Sequence, residues 1–83
     1  MKRFEVGHSY EAYDFGTDPV MVIKRSSHFI TVRNPLGNEW RMKVRECEGK
    51  NGSRFEIAVD GSVPAKWREC YTYAASFEHK EER

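Results

Sequence analysis

Short stretches in which apolar and polar residues alternate fill the middle of the chain. The clearest is residues 40–45, in which an apolar residue is followed each time by an arginine or a lysine. A period of two is typical of a strand with one buried and one exposed face. Similar runs lie between clusters of Gly, Pro, Asn and Ser that favour turns. The pattern predicts a meander of four strands, at about 20–25, 28–34, 39–47 and 53–60.

The best-determined turn lies between the second and third of these strands. Residues 34–37 read Asn-Pro-Leu-Gly, and Pro at the second position with Gly at the fourth is typical of a three-residue hairpin loop with a bulge. Such a loop sets Val32 opposite Trp40 and Ile30 opposite Met42, which keeps the apolar residues on one face. Turn chemistry and hydrophobic pattern therefore indicate the same register.

Two further turns are assigned in the same way. Asn51 and Gly52 form a strong signal for a two-residue hairpin loop, which sets Val44 opposite Val59. A two-residue Ser-Ser turn then pairs the first two strands. Together these registers predict one inner face, made of Met21, Ile23, Ile30, Val32, Trp40, Met42, Val44, Phe55, Ile57 and Val59.

The chain ends are less regular. Phe4, Val6 and Tyr10 indicate an opening strand that is broken at Gly7. Residues 67–77 fit both a strand and a helix, but their content of Trp, Tyr and Thr favours a strand. A last strand paired with the first would also close the exposed edges of the sheet. The alternative is a C-terminal helix at about 64–78.

These elements predict a mainly β protein, an antiparallel meander that closes into a small SH3-like barrel of five or six strands. The composition agrees, since five Phe, four Tyr and two Trp accompany a single Leu, and helical bundles draw first on Leu and Ala. We predict one domain at 1–78 and a frayed charged tail at 79–83.

Charge and composition exclude several classes of protein. The 83 residues have a net charge of +1, which fits neither a strongly basic tail nor an acidic disordered chain. The longest apolar run, residues 20–23, is far shorter than the ~20 residues of a membrane span. The first residues do not resemble a signal peptide, and Cys47 and Cys70 are too few for a disulfide scaffold. We expect a cytoplasmic protein without a membrane partner.

Catalytic and metal-binding patterns are missing from the sequence. His8, His28 and His79 lie outside any Cys/His cluster with ligand spacing, and no glycine motif for phosphate binding is present. We therefore expect no metal, no cofactor and no enzymatic activity. The register turns Glu46 inward beside Ile57, where burial would raise the pKa of a carboxylate.

Basic residues gather on the outer face of the central strands. Residues 24–54 carry eight basic and three acidic side chains. A basic stripe around an exposed aromatic residue is typical of small barrels that bind single-stranded nucleic acid. The candidate contacts are Lys24, Phe29, Arg33, Arg41, Lys43 and Arg45. The alternative is an ordinary solvated face, partly neutralised by Glu56 and by Asp60, which the register sets opposite Lys43.

A second candidate surface is aromatic. Tyr10, Tyr13, Phe15, Trp67, Tyr71 and Tyr73 lie towards the chain ends. They would either line a groove for an extended peptide or close a core that is poor in Leu. The sequence thus predicts a non-enzymatic binding module for single-stranded nucleic acid or an anionic protein surface. The alternative is a protein–protein or self-associating module that uses these aromatic residues or a free sheet edge.

The first half of the chain resembles a loose group of short bacterial proteins, many of them carried by phages and conjugative elements. Residues 4–10 match their (F/Y)-x-V-G-x-x-Y start, and residues 22–32 are similar to their V-x-x-R-T-x-x-x-(I/V)-T-(I/V) segment, with Ser26 in place of Thr. A glycine turn and a basic strand follow at Gly37 and residues 41–44. The resemblance implies a small SH3-like or related barrel with an accessory role on mobile DNA, and it supplies no functional residues.

Overall fold

A computed structural model of the chain describes residues 1–14 and 18–79. About 53% of the described residues are in strands. The strands are β1 (Ser9–Ala12), β2 (Val20–Arg25), β3 (Phe29–Arg33), β4 (Glu39–Glu48), β5 (Arg54–Val59) and β6 (Thr72–His79). They follow one another around a closed antiparallel barrel in which β6 pairs with β1. The predicted mainly β barrel is confirmed. None of the helical turns in the described ranges is long and apolar enough to cross a membrane.

The predicted C-terminal strand is also confirmed, although it begins later than the sequence pattern indicates. Ala65–Trp67 forms a short 3-10 turn, and β6 starts only at Thr72. The alternative helix at about 64–78 is therefore wrong. Of the predicted tail, His79 is the last residue of β6, and residues 80–83 lie outside the described part of the chain, as does Phe15.

The β3–β4 hairpin has the predicted register. Val32 lies opposite Trp40, and Ile30 lies opposite Met42. The loop closes with a hydrogen bond of 3.0 Å from the Asn34 backbone N–H to the carbonyl oxygen of Asn38. Gly37 adopts a φ of 86°, which glycine reaches without a steric penalty.

The β4–β5 hairpin differs from the prediction by one residue. Val44 lies opposite Ala58 and not opposite Val59. The Gly49 N–H donates to the Ser53 carbonyl over 2.7 Å, so the loop has three residues, like the one before it. A two-residue type I′ loop needs positive φ at both central positions, and here only Gly52 has it, at 80°.

A one-residue shift of register reverses the two faces of a strand. In β5 the interior therefore receives Glu56 and Ala58, which are both buried. Phe55, Ile57 and Val59 lie half-buried on the outer side. The prediction that these three belong to the inner face is wrong.

The β2–β3 turn also differs from the prediction. The Ser26 N–H donates to the Phe29 carbonyl over 2.8 Å, so Ser27 and His28 form the turn. An irregularity between Val22 and Lys24 then changes the register within β2.

The change in register decides which residues of β2 face the core. Val20 and Val22 are buried, whereas Met21 is 43% exposed and Ile23 is half-buried. The predicted inward positions of Met21 and Ile23 are therefore wrong.

Residues from the N-terminal segment and from both end strands complete the core. Phe4, which precedes β1, is 1% exposed and packs edge-on against the ring of Tyr10 at 4.8 Å. The core cluster consists of Phe4, Tyr10, Ala12, Val20, Val22, Ile30, Val32, Met42, Val44, Ala58, Tyr73 and Ala75, with Trp40 packed against it. Aromatic residues from outside the central meander thus form part of the core.

The loop assignment at Gly52 can be tested by substitution. We expect Gly52→Ala to lower the free energy of unfolding by about 1–2 kcal/mol, because a side chain is strained at positive φ, although a Cβ there would meet no atom within 4 Å. Gly61→Ala is the matched control, since its Cβ also has open space and its φ is not in the left-handed region. Urea unfolding measures both variants. Equal stabilities would contradict the assigned loop.

Candidate nucleic-acid interface

Cross-strand pairing arranges the outer face of β3, β4 and β5 in rows. Phe29 lies opposite Lys43, which in turn lies opposite Val59. In the next row Arg41 lies opposite Thr31. Directly opposed residues point to the same side of a sheet. The basic side chains of β4 therefore stand together on the outer face, as the alternation of the sequence predicts.

A groove of about 580 Å³ lies over these rows. We call it the basic groove; its lining residues are Phe29, Arg41, Lys43, Arg45, Val59, Gly61, Arg68 and Thr72. Four of the eight are cationic and none is acidic. The groove is therefore a concave surface of one sign of charge, which favours an anionic ligand.

The cations of β4 are not neutralised by neighbours. Among the described residues, no ion pair joins Arg41, Lys43 or Arg45 to a carboxylate. Arg33 on β3, in contrast, forms an ion pair of 2.6 Å with Glu39. The three β4 side chains are thus available to an external anion without the loss of an internal ion pair.

Phe29 contributes an aromatic surface that the Arg41 side chain covers. The guanidinium carbon of Arg41 lies 4.6 Å from the centre of the Phe29 ring, a cation–π distance. The prediction of a freely exposed ring is therefore refined to a Phe29–Arg41 stack. A planar guanidinium held in this way offers its outer face for stacking with a nucleic-acid base.

The structure separates the six predicted contacts into two groups. Phe29, Arg41, Lys43 and Arg45 line the basic groove. Lys24 lies in the row of Arg41 but one strand further from the groove.

Arg33 also lies outside the groove and is tied to Glu39 by two hydrogen bonds of 2.9 and 2.6 Å. Arg68 lines the groove but was not among the predicted contacts. It reaches the groove from the segment between β5 and β6, which alternation along β4 cannot reveal.

The two acidic residues predicted to neutralise this face do not do so. Glu56 points into the barrel and is 5% exposed. Val59, and not Asp60, lies opposite Lys43. Asp60 Oδ1 accepts hydrogen bonds from the backbone N–H and hydroxyl of Ser62, at 2.9 and 2.7 Å. The one-residue register shift therefore leaves the basic face more positive than the sequence predicts.

The buried carboxylate of the barrel is Glu56 and not the predicted Glu46. Glu46 is exposed at the end of β4 and accepts a hydrogen bond of 2.6 Å from Arg54. Glu56 accepts hydrogen bonds from Arg25 at 2.8 and 3.1 Å and from the Phe4 backbone N–H at 2.9 Å. The Arg25 guanidinium also donates to the Phe4 carbonyl over 2.7 Å.

Burial alone would raise the pKa of Glu56, but the hydrogen bonds from Arg25 and Phe4 outweigh it and lower the pKa below its ordinary value. The Arg25–Glu56 pair holds the N-terminal segment against one end of the barrel through its hydrogen bonds to the Phe4 backbone. A cavity of about 600 Å³ opens at that end. Because the charged atoms of Arg25 and Glu56 are satisfied by each other and by Phe4, we assign them a structural role.

The predicted aromatic surface is divided between the core and the exterior. Tyr10 and Tyr73 are buried, and burial raises the pKa of Tyr73 to about 12. Tyr13 packs edge-on against Phe77 at 5.1 Å. Trp67 and Tyr71 are exposed, so the predicted residues do not form one continuous surface.

Three side chains with metal-ligating atoms converge beside β1. Glu5, His8 and Glu78 place one ligand atom each within 4.8 Å of the others. His8 Nδ1 contacts the Glu78 carboxylate, and His8 Nε2 lies 3.4 Å from Glu5 Oε2. Both ring nitrogens are thus engaged by carboxylates. Cys47 and Cys70 are free thiols and are not part of this group.

The basic groove combines three cations of β4 and the loop residue Arg68 with the Phe29–Arg41 stack, a set that suits an anionic polymer with planar bases. Its residue chemistry is the basis for a functional assignment. Comparison of the chain with protein-family models, with curated proteins and with solved structures gives no match.

Proposed function

We propose that the protein is a non-enzymatic module that binds single-stranded nucleic acid in the basic groove. The observation that carries this proposal is the charge of the groove, which four cationic side chains and no carboxylate line. Phosphate contacts from Lys and Arg supply most of the affinity of sequence-independent nucleic-acid binding. The unpaired cations of β4 therefore match the backbone of a nucleic-acid strand.

The spacing of the cations suits a ligand that runs along β4. Alternate residues of a strand lie about 6.7 Å apart, so Arg41, Lys43 and Arg45 form a straight row. Arg68 lies on the same groove. A strand of nucleic acid in this groove meets cations at several successive positions.

The apolar part of the groove favours single strands over a duplex. Phe29 and Val59 line it together with the cations, and the Arg41 guanidinium stacked on Phe29 presents a planar surface. Bases stack on such surfaces only when they are unpaired. A recessed groove also differs from the protruding helix or ribbon that enters the major groove of a duplex.

The alternative of self-association through a free sheet edge has less support. Each strand pairs with two neighbours in the closed barrel of the described residues, and closure removes the edges on which such pairing depends. An accessory role on mobile DNA, which the resemblance of residues 4–45 implies, is compatible with the proposed binding of single strands.

Single substitutions in the groove test the proposal. We expect Arg41→Gln and Arg45→Gln each to weaken binding of a fluorescently labelled oligothymidylate about threefold to fivefold at low salt. Each substitution removes one exposed ion pair with a phosphate, which is worth about 0.7–1 kcal/mol. Fluorescence anisotropy measures the affinity. Lys50→Gln is the control, because Lys50 is an exposed cation of the β4–β5 loop outside the groove. Absence of binding at low salt, or an equal loss in the control, would refute the proposal.

A further inference from the structure

A second cleft, of about 400 Å³, lies at a different part of the barrel surface. We call it the acidic cleft. Its aromatic and acidic lining consists of Trp40, Tyr71, Tyr73, Asp18 and Asp60, with Val63 beside them. The residues that line it are all different from those that line the basic groove. It is thus a separate surface with its own chemistry.

The charge of this cleft is opposite to that of the basic groove. Its charged lining residues in the described chain are Asp18 and Asp60, with no cation among them. One oxygen of Asp60 is occupied by Ser62, whereas Oδ2 accepts no hydrogen bond from any described residue. Burial raises the pKa of Tyr73, and the negative charges of Asp60 and Asp18 raise it further. Both carboxylates therefore act on the same part of the cleft, around Tyr73. The cleft therefore suits a cation.

The aromatic residues of the cleft offer exposed ring surface to a ligand. Tyr71 is 40% exposed and Trp40 is half-buried, so aromatic surface is available beside the carboxylates. The indole N–H of Trp40 is shielded from solvent and has no hydrogen-bond acceptor among the described residues. Buried donors in native proteins are almost always paired. This nitrogen is closed to a ligand from the surface, so what Trp40 and Tyr71 offer a ligand is ring surface.

We infer that the acidic cleft binds an arginine side chain of an extended peptide. A guanidinium group stacks on aromatic faces and pairs with carboxylates through a planar fork, which an ammonium group cannot do. The two clefts share no lining residue, so this inference does not depend on nucleic-acid binding in the basic groove.

Two peptides that differ only in charge test this inference. The probes are capped Gly-Ser peptides with one central arginine or with citrulline, its neutral isostere, titrated into the isotopically labelled full chain. We expect the arginine peptide to shift the Trp40 indole and Tyr71 amide resonances with millimolar affinity. We expect the citrulline peptide to bind at least ~5-fold more weakly. Equal affinities, or no shift of these resonances up to ~10 mM peptide, would overturn the inference.

Variants of the cleft give a second, independent readout. Asp60→Asn keeps the shape of the side chain and an oxygen for Ser62. We expect it to lower the affinity for the arginine peptide about fivefold. Glu48→Gln is the matched control, since it removes one exposed carboxylate away from the cleft. Unchanged affinity in Asp60→Asn, with an intact spectrum, would contradict the inference.

Two further controls separate this site from other surfaces of the protein. Arg41 lines the basic groove and not the acidic cleft, so we expect Arg41→Gln to leave the affinity for the arginine peptide unchanged. The peptide experiment therefore gives its answer whether or not the protein binds nucleic acid. Shifts of the cleft resonances with protein concentration alone would identify a second copy of the chain as the occupant, which would also overturn the inference.

Discussion

Glu56→Ala is expected to lower the free energy of unfolding by about 3 kcal/mol. Removal of one partner from a buried ion pair typically costs about 3–5 kcal/mol, and the lower end applies because the Arg25 side chain is 22% exposed. The change leaves the Arg25 guanidinium without its carboxylate. It also leaves the Phe4 backbone N–H, which donates to Glu56 over 2.9 Å, without an acceptor. The N-terminal segment should then loosen from the barrel.

The matched control for this variant is Glu46→Ala. Glu46 also pairs with an arginine, Arg54, but both side chains are more than half exposed, so we expect a change below about 0.5 kcal/mol. Thermal or urea unfolding of both variants measures the difference. Equal losses of stability would mean that burial of Glu56 contributes nothing to the fold.

The Arg25–Glu56 pair makes a defined prediction for acid unfolding. The pKa of Glu56 is lowered in the folded protein, so the unfolded chain takes up a proton first as the pH falls. The stabilisation is therefore complete above the ordinary glutamate pKa of 4.5 and is lost as the pH falls through the lowered folded value. Glu56→Gln should show a flatter loss of stability below pH 4.5 than the parent protein.

Neutralisation of the β4 cations is expected to have the largest effect on binding. The triple variant Arg41→Gln, Lys43→Gln, Arg45→Gln should weaken oligothymidylate binding about 100-fold at low salt, if each ion pair contributes about 1 kcal/mol. The three side chains are exposed and form no ion pair with described residues. Loss of the Arg41–Phe29 stack should then lower the free energy of unfolding by no more than about 1 kcal/mol.

A second triple variant separates the groove from charge in general. Lys24→Gln, Arg33→Gln and Lys50→Gln remove the same number of exposed cations, but none of the three residues lines the groove. We expect this variant to keep its affinity within about threefold of the parent protein. If both triple variants lose the same affinity, net charge and not the groove governs binding.

The β3–β4 hairpin could be predicted because its turn and its hydrophobic pattern agree. Pro and Gly fix the loop at residues 34–37, and Val32, Trp40 and Met42 then fall into their observed pairs. The same alternation along β4 correctly set the basic side chains on the outer face. Where two independent signals coincide, the sequence determines both register and face.

The β4–β5 hairpin was mispredicted because the Asn-Gly pair dominates the local pattern. Gly49 and Gly52 have the same spacing as Asn34 and Gly37, and both loops close in the same way, with positive φ at the last loop residue, Gly37 or Gly52. That spacing was the available indication of a three-residue loop. The apolar residues of β5 misled as well, because Ile57 and Val59 are packed on the outer side.

The inward position of Glu56 could not be predicted from local pattern. Its burial depends on Arg25, whose position follows from the irregularity in β2, and on Phe4, which reaches the barrel end from outside the meander. The position of Arg68 in the basic groove could not be predicted either, because the segment between β5 and β6 brings it there. Such long-range partners leave no periodic trace in the chain.

The salt dependence of oligothymidylate binding tests the central claim most directly. Four phosphate contacts predict a slope of log affinity against log salt of about −3, and removal of three cations predicts about −0.7. Anisotropy titrations of the parent protein and of the triple variant Arg41→Gln, Lys43→Gln, Arg45→Gln give both slopes. A slope near zero in the parent protein, or the same slope in both proteins, would contradict nucleic-acid binding in the basic groove.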